Sequence, residues 1–305
     1  MFMLKENIFF HRITYMYEET GFHNSKDKVK KVMGYFAYKG YNVFYEETGQ
    51  GPPLLLLHGN TASSRMFDSV LDLYTDDYTV IIMDFLGHGR SSRLPAFTVD
   101  LWYDQAMQVV ELIKACQYGR VNIIGTSGGA LAAINVALER GDLVNKVVAD
   151  SFEGEESLDV IVESVIQERK TAKSQEESRE FWQYCHGDDW ESVVDNDTAA
   201  ISAHNASFKR FFHRELSRLS TPIMLTASLE DEFAQAVNLD FRQVYAKILS
   251  QVFRGTAYLF STGGHPAMLS NPTAFAQKAK EFFQGIPCFL DSAVNYHYQP
   301  ITQKR

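Results

Sequence analysis

The stretch 121–138, VNIIGTSGGALAAINVAL, constrains the fold of this chain more than any other. Val121 to Ile124 is short, apolar and β-branched, the pattern of a strand buried on both faces of a parallel sheet, and Ala130 to Leu138 favours a helix. Between them Gly125-Thr126-Ser127-Gly128-Gly129 reads G-x-S-x-G. Glycines at this spacing let neighbouring chain pass close to a serine held in a strained turn, and the helix behind it aims free N–H groups at developing negative charge. Ser127 is therefore a candidate nucleophile. The alternative is an ordinary serine in a glycine-rich turn, and the flanking strand and helix favour the first reading.

The same alternation extends along most of the chain. FAYKGYNVFYEETG alternates around a Lys-Gly turn like a hairpin, and PPLLLLHGN is a buried strand running into a loop. A helix is expected over Met66 to Tyr74, a strand over 78–85, a helix over 99–116 and a strand over 145–150. The rhythm breaks at 152–218, where Leu158, Ile161, Val162, Val165 and Ile166 follow amphipathic-helix spacing. It resumes with a strand at 221–228, a helix around 236–252, a strand at 256–261 and a helix at 271–284. Strands alternating with helices imply an α/β protein with a mostly parallel central sheet flanked by helices. The expected organisation is an N-terminal appendage at 1–32, a core formed by 33–151 and 219–286, a helical insertion at 152–218 over the carboxyl ends of the strands, and a C-terminal tail at 287–305. The tail is read either as a free end or as a contact in a homodimer.

A chain of 305 residues with 45% hydrophobic and 22% charged residues can bury a large core. A net charge of −9 argues against nucleic acid as a partner, and no apolar run reaches the length of a membrane span. The N-terminus has no continuous apolar segment with a small-residue cleavage site, and Cys116, Cys185 and Cys288 lack metal-ligand spacing, so a cytoplasmic location with free thiols is expected. No motif calls for a metal or a cofactor.

A serine hydroxyl needs a base to remove its proton, and the base needs a third group to fix its tautomer. His265 in FSTGGHPAM lies in a glycine-flanked loop after the final strand, from which a base could reach over the sheet edge. The acid should follow the strand ending near Ser228, where SLEDEF offers Glu230, Asp231 and Glu232. Asp231 is the choice, with Asp150 at the end of the preceding strand left as an alternative. Negative charge in an acyl-transfer transition state needs N–H donors already in place. Gly128 supplies one, and Asn60 in HGNTASS is best placed for the second. His58 is read as a structural loop residue and His88 as a turn residue.

The segments LLLLHGNTASS, DFLGHGRSS, GTSGG, SLEDE and GGHPAM, in this order, resemble the signature segments of the α/β-hydrolase superfamily over about residues 33–286. The resemblance implies Ser127 as nucleophile, Asp231 as acid, His265 as base, Asn60 with Gly128 as oxyanion hole, and 152–218 as a cap domain. Serine at the elbow departs from the haloalkane dehalogenases and epoxide hydrolases of the superfamily, which use aspartate there. Ser228 stands where many relatives carry glycine.

The cap region holds 15 Asp or Glu against 8 Lys or Arg, most of the net charge of the chain. This either focuses a cationic or amine-bearing substrate or forms a solvated outer face. Phe181, Trp182, Tyr184, Trp190, Phe208, Phe211 and Phe212 suggest an apolar roof. The expected activity is hydrolysis of a small carboxylic ester, thioester, lactone or amide through an acyl-enzyme. The alternatives are carbon–carbon bond hydrolysis of a diketone-like substrate and a non-catalytic ligand receptor.

Overall fold

The computed structural model describes residues 13–15, 31–286 and 296–297. In chain order the elements are β1 (Ile13–Tyr15), β2 (Val32–Tyr38), β3 (Tyr41–Gly49), β4 (Pro53–Leu57), β5 (Thr79–Met83), α1 (Leu101–Ala115), β6 (Val121–Thr126), α2 (Gly128–Arg140) and β7 (Val144–Asp150). Then come α3 (Asp159–Ala172), α4 (Glu176–His186), α5 (Trp190–Ser207), β8 (Ile223–Ser228), α6 (Glu232–Ala236), α7 (Phe241–Leu249), β9 (Gly255–Phe260), α8 (Ala267–Ser270), α9 (Pro272–Gln284) and β10 (Tyr296–His297).

The strands form one sheet in the order β1-β2-β3-β5-β4-β6-β7-β8-β9-β10. From β5 to β9 every neighbouring pair is parallel, while the outer strands β1, β2, β3 and β10 pair antiparallel. Period-two alternation explains how the central strands cover both faces. Leu55 and Leu57 of β4 join the core cluster containing α1, α2 and α7, whereas Leu54 and Leu56 join the cluster containing α9 on the opposite face. All four are fully buried, each worth about 1.5–3 kcal/mol relative to exposure.

Between β7 and β8 the chain builds α3, α4 and α5 without adding a strand to the sheet. Val162, Val193, Ala200 and Ile201 of this insertion belong to the main core cluster, and Trp182 stacks on Trp190 at 5.3 Å beside Ala172 and Val194 as a smaller cluster. The insertion thus carries some apolar packing of its own and leans on the core for the rest.

Several expected elements take a different form. The helix expected over Met66 to Tyr74 is two separate 3-10 turns, Ser64–Phe67 and Leu71–Leu73. Phe67, Val70 and Tyr74 are buried at spacings of three and four, which a 3-10 pair satisfies as well as an α-helix does. The helix expected around 236–252 is α6 and α7, parted by Asn238 at φ 55° and restarted by Asp240, whose side chain accepts from the Arg242 N–H at 2.9 Å. Most of 1–32 and 287–305 lies outside the described residues; within them β1 and β10 extend the two sheet edges. No helix among the described residues is long and apolar enough to cross a membrane.

The sheet and α2 approach each other through glycine at the elbow. A Cβ on Gly125 would lie 2.1 Å from the Gly129 carbonyl oxygen, a backbone atom that cannot move aside. Gly125→Ala is therefore expected to cost about 3 kcal/mol or more in urea unfolding. Gly119→Ala, at φ 71° with nothing within 4 Å, should cost only about 1–2 kcal/mol from its backbone conformation.

Candidate active site

Parallel register brings the carboxyl ends of β4, β6, β7, β8 and β9 to one edge, and these strand ends with the segments that follow them carry the candidate residues. Ser127 sits directly after β6 at φ 53°, ψ −123°, a region that disfavours any residue with a Cβ. Its N–H donates to the Asp150 carbonyl at 2.7 Å, and the small residues Gly128 to Ala130 let α2 start at once behind it. Ser127 remains partly exposed while the rest of β6 is buried.

His265 lies after β9, and its Nδ1 is 2.8 Å from Asp231 Oδ2. The carboxylate can only accept, so Nδ1 carries the hydrogen and Nε2 is left with a free lone pair. Asp231 is 1% exposed; its other oxygen accepts the Ala234 N–H at 2.9 Å, so the same side chain starts α6 and holds the imidazole. Glu232 accepts the His265 backbone N–H at 3.1 Å, fixing the loop from a second point. Burial opposes a charged ring here, but the Asp231 hydrogen bond and the charges of Asp231 and Asp150 outweigh it, so the pKa of His265 lies above the ordinary histidine value.

Asp150, the alternative acid, is engaged elsewhere. It accepts from Thr226 Oγ1 at 2.8 Å, Ser151 Oγ at 3.2 Å and the Met268 N–H at 3.0 Å, stitching β7 to β8 and to the start of α8 beyond His265. Burial pushes its carboxyl up to about 7 against those bonds. Ser228 Oγ accepts from Asn271 Nδ2 at 3.1 Å, so the serine where many relatives carry glycine ties the end of β8 to the His265 loop.

The loop after β4 crosses over Gly128. A Cβ on Gly128 would fall 1.7 Å from Asn60 Oδ1 and 2.8 Å from Trp102 Nε1, so a side chain there would displace the Asn60 amide from its place. Asn60 Oδ1 accepts from Trp102 Nε1 at 3.2 Å, and its Nδ2 donates to Asp197 Oδ1 at 3.2 Å. His58 is buried behind the loop: Nε2 accepts the Phe85 N–H at 3.0 Å, so Nδ1 donates to the Gly59 carbonyl at 2.8 Å. Burial and the neighbouring His88 lower its pKa to about 3, which keeps the ring neutral in a structural role. His88, expected in a turn, is fully buried with Nε2 3.3 Å from Asp197.

Trp102, Arg169 and Asp197 went unsuspected in the sequence. Asp197 is fully buried on α5 and accepts from Arg169 Nη1 at 2.8 Å. Burial alone would raise its carboxyl; the Arg169 guanidinium, with His88 and Asn60, holds it well below the usual carboxylate range. A signal existed, because Asp197 falls among Val193, Val194, Ala200 and Ile201 on the apolar stripe of α5.

Ser127, Gly128, Asn60 and His265 share the wall of one cavity of about 460 Å³, closed by Ile161, Val165 and Trp182 from the insertion. Of the aromatic residues suggested as a roof, Trp182 alone lines this cavity; Phe181, Tyr184 and Phe208 face solvent, and Trp190, Phe211 and Phe212 are packed in the interior. Glu153, Glu168 and Glu232 also line it. Among the described residues, no group of three or more His, Cys, Asp or Glu could hold a metal ion.

A family profile for the alpha/beta hydrolase fold matches residues 52–244, more than half of the chain. The chain belongs to the alpha/beta hydrolase family. Curated relatives include a 2-(acetamidomethylene)succinate hydrolase of Mesorhizobium japonicum, 34% identical over 35% of this chain and 37% of that protein. A proline iminopeptidase of Clostridium botulinum is 33% identical over 36% of this chain and 40% of its own length. The chain therefore matches less than half the length of these hydrolases. Among solved structures, a serine hydrolase involved in carbazole degradation superposes with a TM-score of 0.66, covering 84% of this chain and 100% of the other at 22% identity, a likeness of fold.

Any reaction of this alpha/beta hydrolase that uses neutral His265 as a base should gain kcat/KM as pH rises through a midpoint above 6.5. Asp231→Asn keeps a residue able to cap α6 but removes the charge, so the midpoint should move down and kcat should fall about 10³–10⁴-fold. A pH–rate profile of both proteins checks the direction of the shift.

Proposed function

We propose that this chain is a serine hydrolase that cleaves a small carboxylic ester, thioester, lactone or amide by a two-step route. The observation that carries the reading is the His265–Asp231 hydrogen bond of 2.8 Å on the same cavity as Ser127 in its strained turn. Ser127 Oγ attacks the acyl carbonyl while His265 Nε2 takes its proton and then gives it to the leaving group. Water, activated by the same nitrogen, releases the acid. The Gly128 and Asn60 N–H groups receive the charge that develops on the carbonyl oxygen. In this reading α3, α4 and α5 are a cap that closes the acyl pocket from above, and the chemistry needs neither a metal nor a cofactor.

The cavity wall also supports a preference among substrates. Glu153, Glu168 and Glu232 bring negative charge to it, and the positive charge of Arg169 is taken up by its 2.8 Å pair with Asp197. Neutral or amine-bearing acyl groups fit this field better than carboxylated ones. At equal size, a neutral ester is expected to be turned over with a kcat/KM about ten-fold or more above that of a carboxylate-bearing one, and equal rates would refute the preference.

A fluorophosphonate probe is expected to label Ser127, and Ser127→Ala should lose both labelling and at least about 10³-fold in esterase turnover. His265→Ala should lose turnover to a similar extent, and the double variant should lose little more, because the pair acts as a unit. Labelling at another residue, or turnover surviving in Ser127→Ala, would overturn the assignment.

A further inference from the structure

Thr61 follows Asn60 and adopts φ 55°. It is the third residue of a turn closed by the Ala62 N–H on the Gly59 carbonyl at 3.3 Å, a position that tolerates positive φ when it is glycine. Threonine is β-branched and resists this conformation, so the neighbouring structure must impose it. Both backbone polar groups of Thr61 are held by the insertion. Its N–H donates to Asp197 Oδ2 at 3.3 Å, and its carbonyl accepts from His186 Nε2 at 2.9 Å. The amide of Asn60 is held by the same carboxylate, with Nδ2 at 3.2 Å from Oδ1. Asp197 in turn is oriented by Arg169 at 2.8 Å on α3 and by His88 at 3.3 Å on the core side.

We propose that Asp197 is a positioning residue through which the helical insertion holds the Asn60–Thr61 turn in its strained conformation, so that the oxyanion donor on this loop is in place only while the insertion is docked. The consequence for catalysis rests on the reading of Asn60 as an oxyanion donor given above. The carboxylate does not touch substrate. It acts by collecting the Asn60 amide, the Thr61 N–H and the His88 ring on one buried charge that α5 carries into the core. A loop strained in isolation and correct only under the insertion couples assembly of the hole to closure of the pocket. The insertion then contributes to rate as well as to pocket shape.

Asp197→Asn in the full chain tests this. Amide hydrogen exchange of a peptide spanning 58–64 needs no turnover and reads the turn directly: faster exchange there is expected, and unchanged exchange overturns the proposal whatever the reaction proves to be. With an ester substrate, kcat should fall about ten- to hundred-fold while KM stays within about two-fold, as for a displaced transition-state donor. A rise in KM alone would contradict it. Because Asp197→Asn strands a buried guanidinium, the double variant Asp197→Asn/Arg169→Met is the companion: melting temperature should recover and kcat should not. Recovery of both would mean the carboxylate serves stability alone. Finally, Thr61→Gly relieves the backbone strain, so Asp197→Asn should cost distinctly less kcat in that background; an equal loss in both backgrounds would argue against strain at Thr61 as the link. Should the wild-type chain show no labelling at Ser127, the catalytic reading fails while the exchange measurement still decides the role of Asp197.

Discussion

The structure depends on a serine backbone held where side chains are disfavoured. Ser127 stays at φ 53° because β6 is clamped between β4 and β7, because its N–H is fixed to the Asp150 carbonyl at 2.7 Å, and because glycines on either side leave room for α2 and the Asn60 loop to close in. Each of these constraints comes from the buried parallel sheet. The energy needed to keep one residue in this conformation, of order 1–3 kcal/mol, is small beside the burial of the four leucines of β4 alone. The strain survives because the core over-determines it.

A similar economy appears around the imidazole. Asp231 uses one oxygen to start α6 and the other to hold His265, so this carboxylate is positioned by the helix it caps. Asp150, equally buried and close in charge to the same histidine, spends its oxygens on Thr226, Ser151 and the Met268 N–H. The two carboxylates differ in what they hold because of which donors surround them. Their position along the chain would have allowed either.

The insertion reaches the site through polar contacts that its helical pattern does not advertise. Part of its apolar surface joins the main core, yet what meets the loop after β4 is Asp197 and His186, with Arg169 paired behind Asp197. Burying such groups is costly unless each finds partners, and here every partner comes from a different segment: α3, α4, α5, the loop after β4 and the loop after β5. The acidic bias of 152–218 has a mixed meaning in consequence. Glu153 and Glu168 face the cavity, Asp197 is buried in a network, and Asp159, Asp188 and Glu191 lie on the solvent side.

The alternation of β-branched runs with helical stretches was enough to determine a mostly parallel sheet covered on both faces, because burial on two sides demands that pattern and little else satisfies it. The G-x-S-x-G spacing placed Ser127 on a strand-to-helix turn for an equally local reason: only glycines permit that close approach. The loops after the strands then named His265, Asp231 and Asn60 by order. Local periodicity could not separate a 3-10 pair from a helix over 64–74, since both bury Phe67, Val70 and Tyr74. It left Asp150 open as an alternative beside Asp231, and it did not reveal that Trp102 and Asp197 hold Asn60 or that Arg169 pairs with Asp197. Those outcomes depend on which donors and acceptors arrive at one point from distant parts of the chain, and hydrogen-bond partnership over such separations is fixed only when the sheet, α1 and the insertion have packed together.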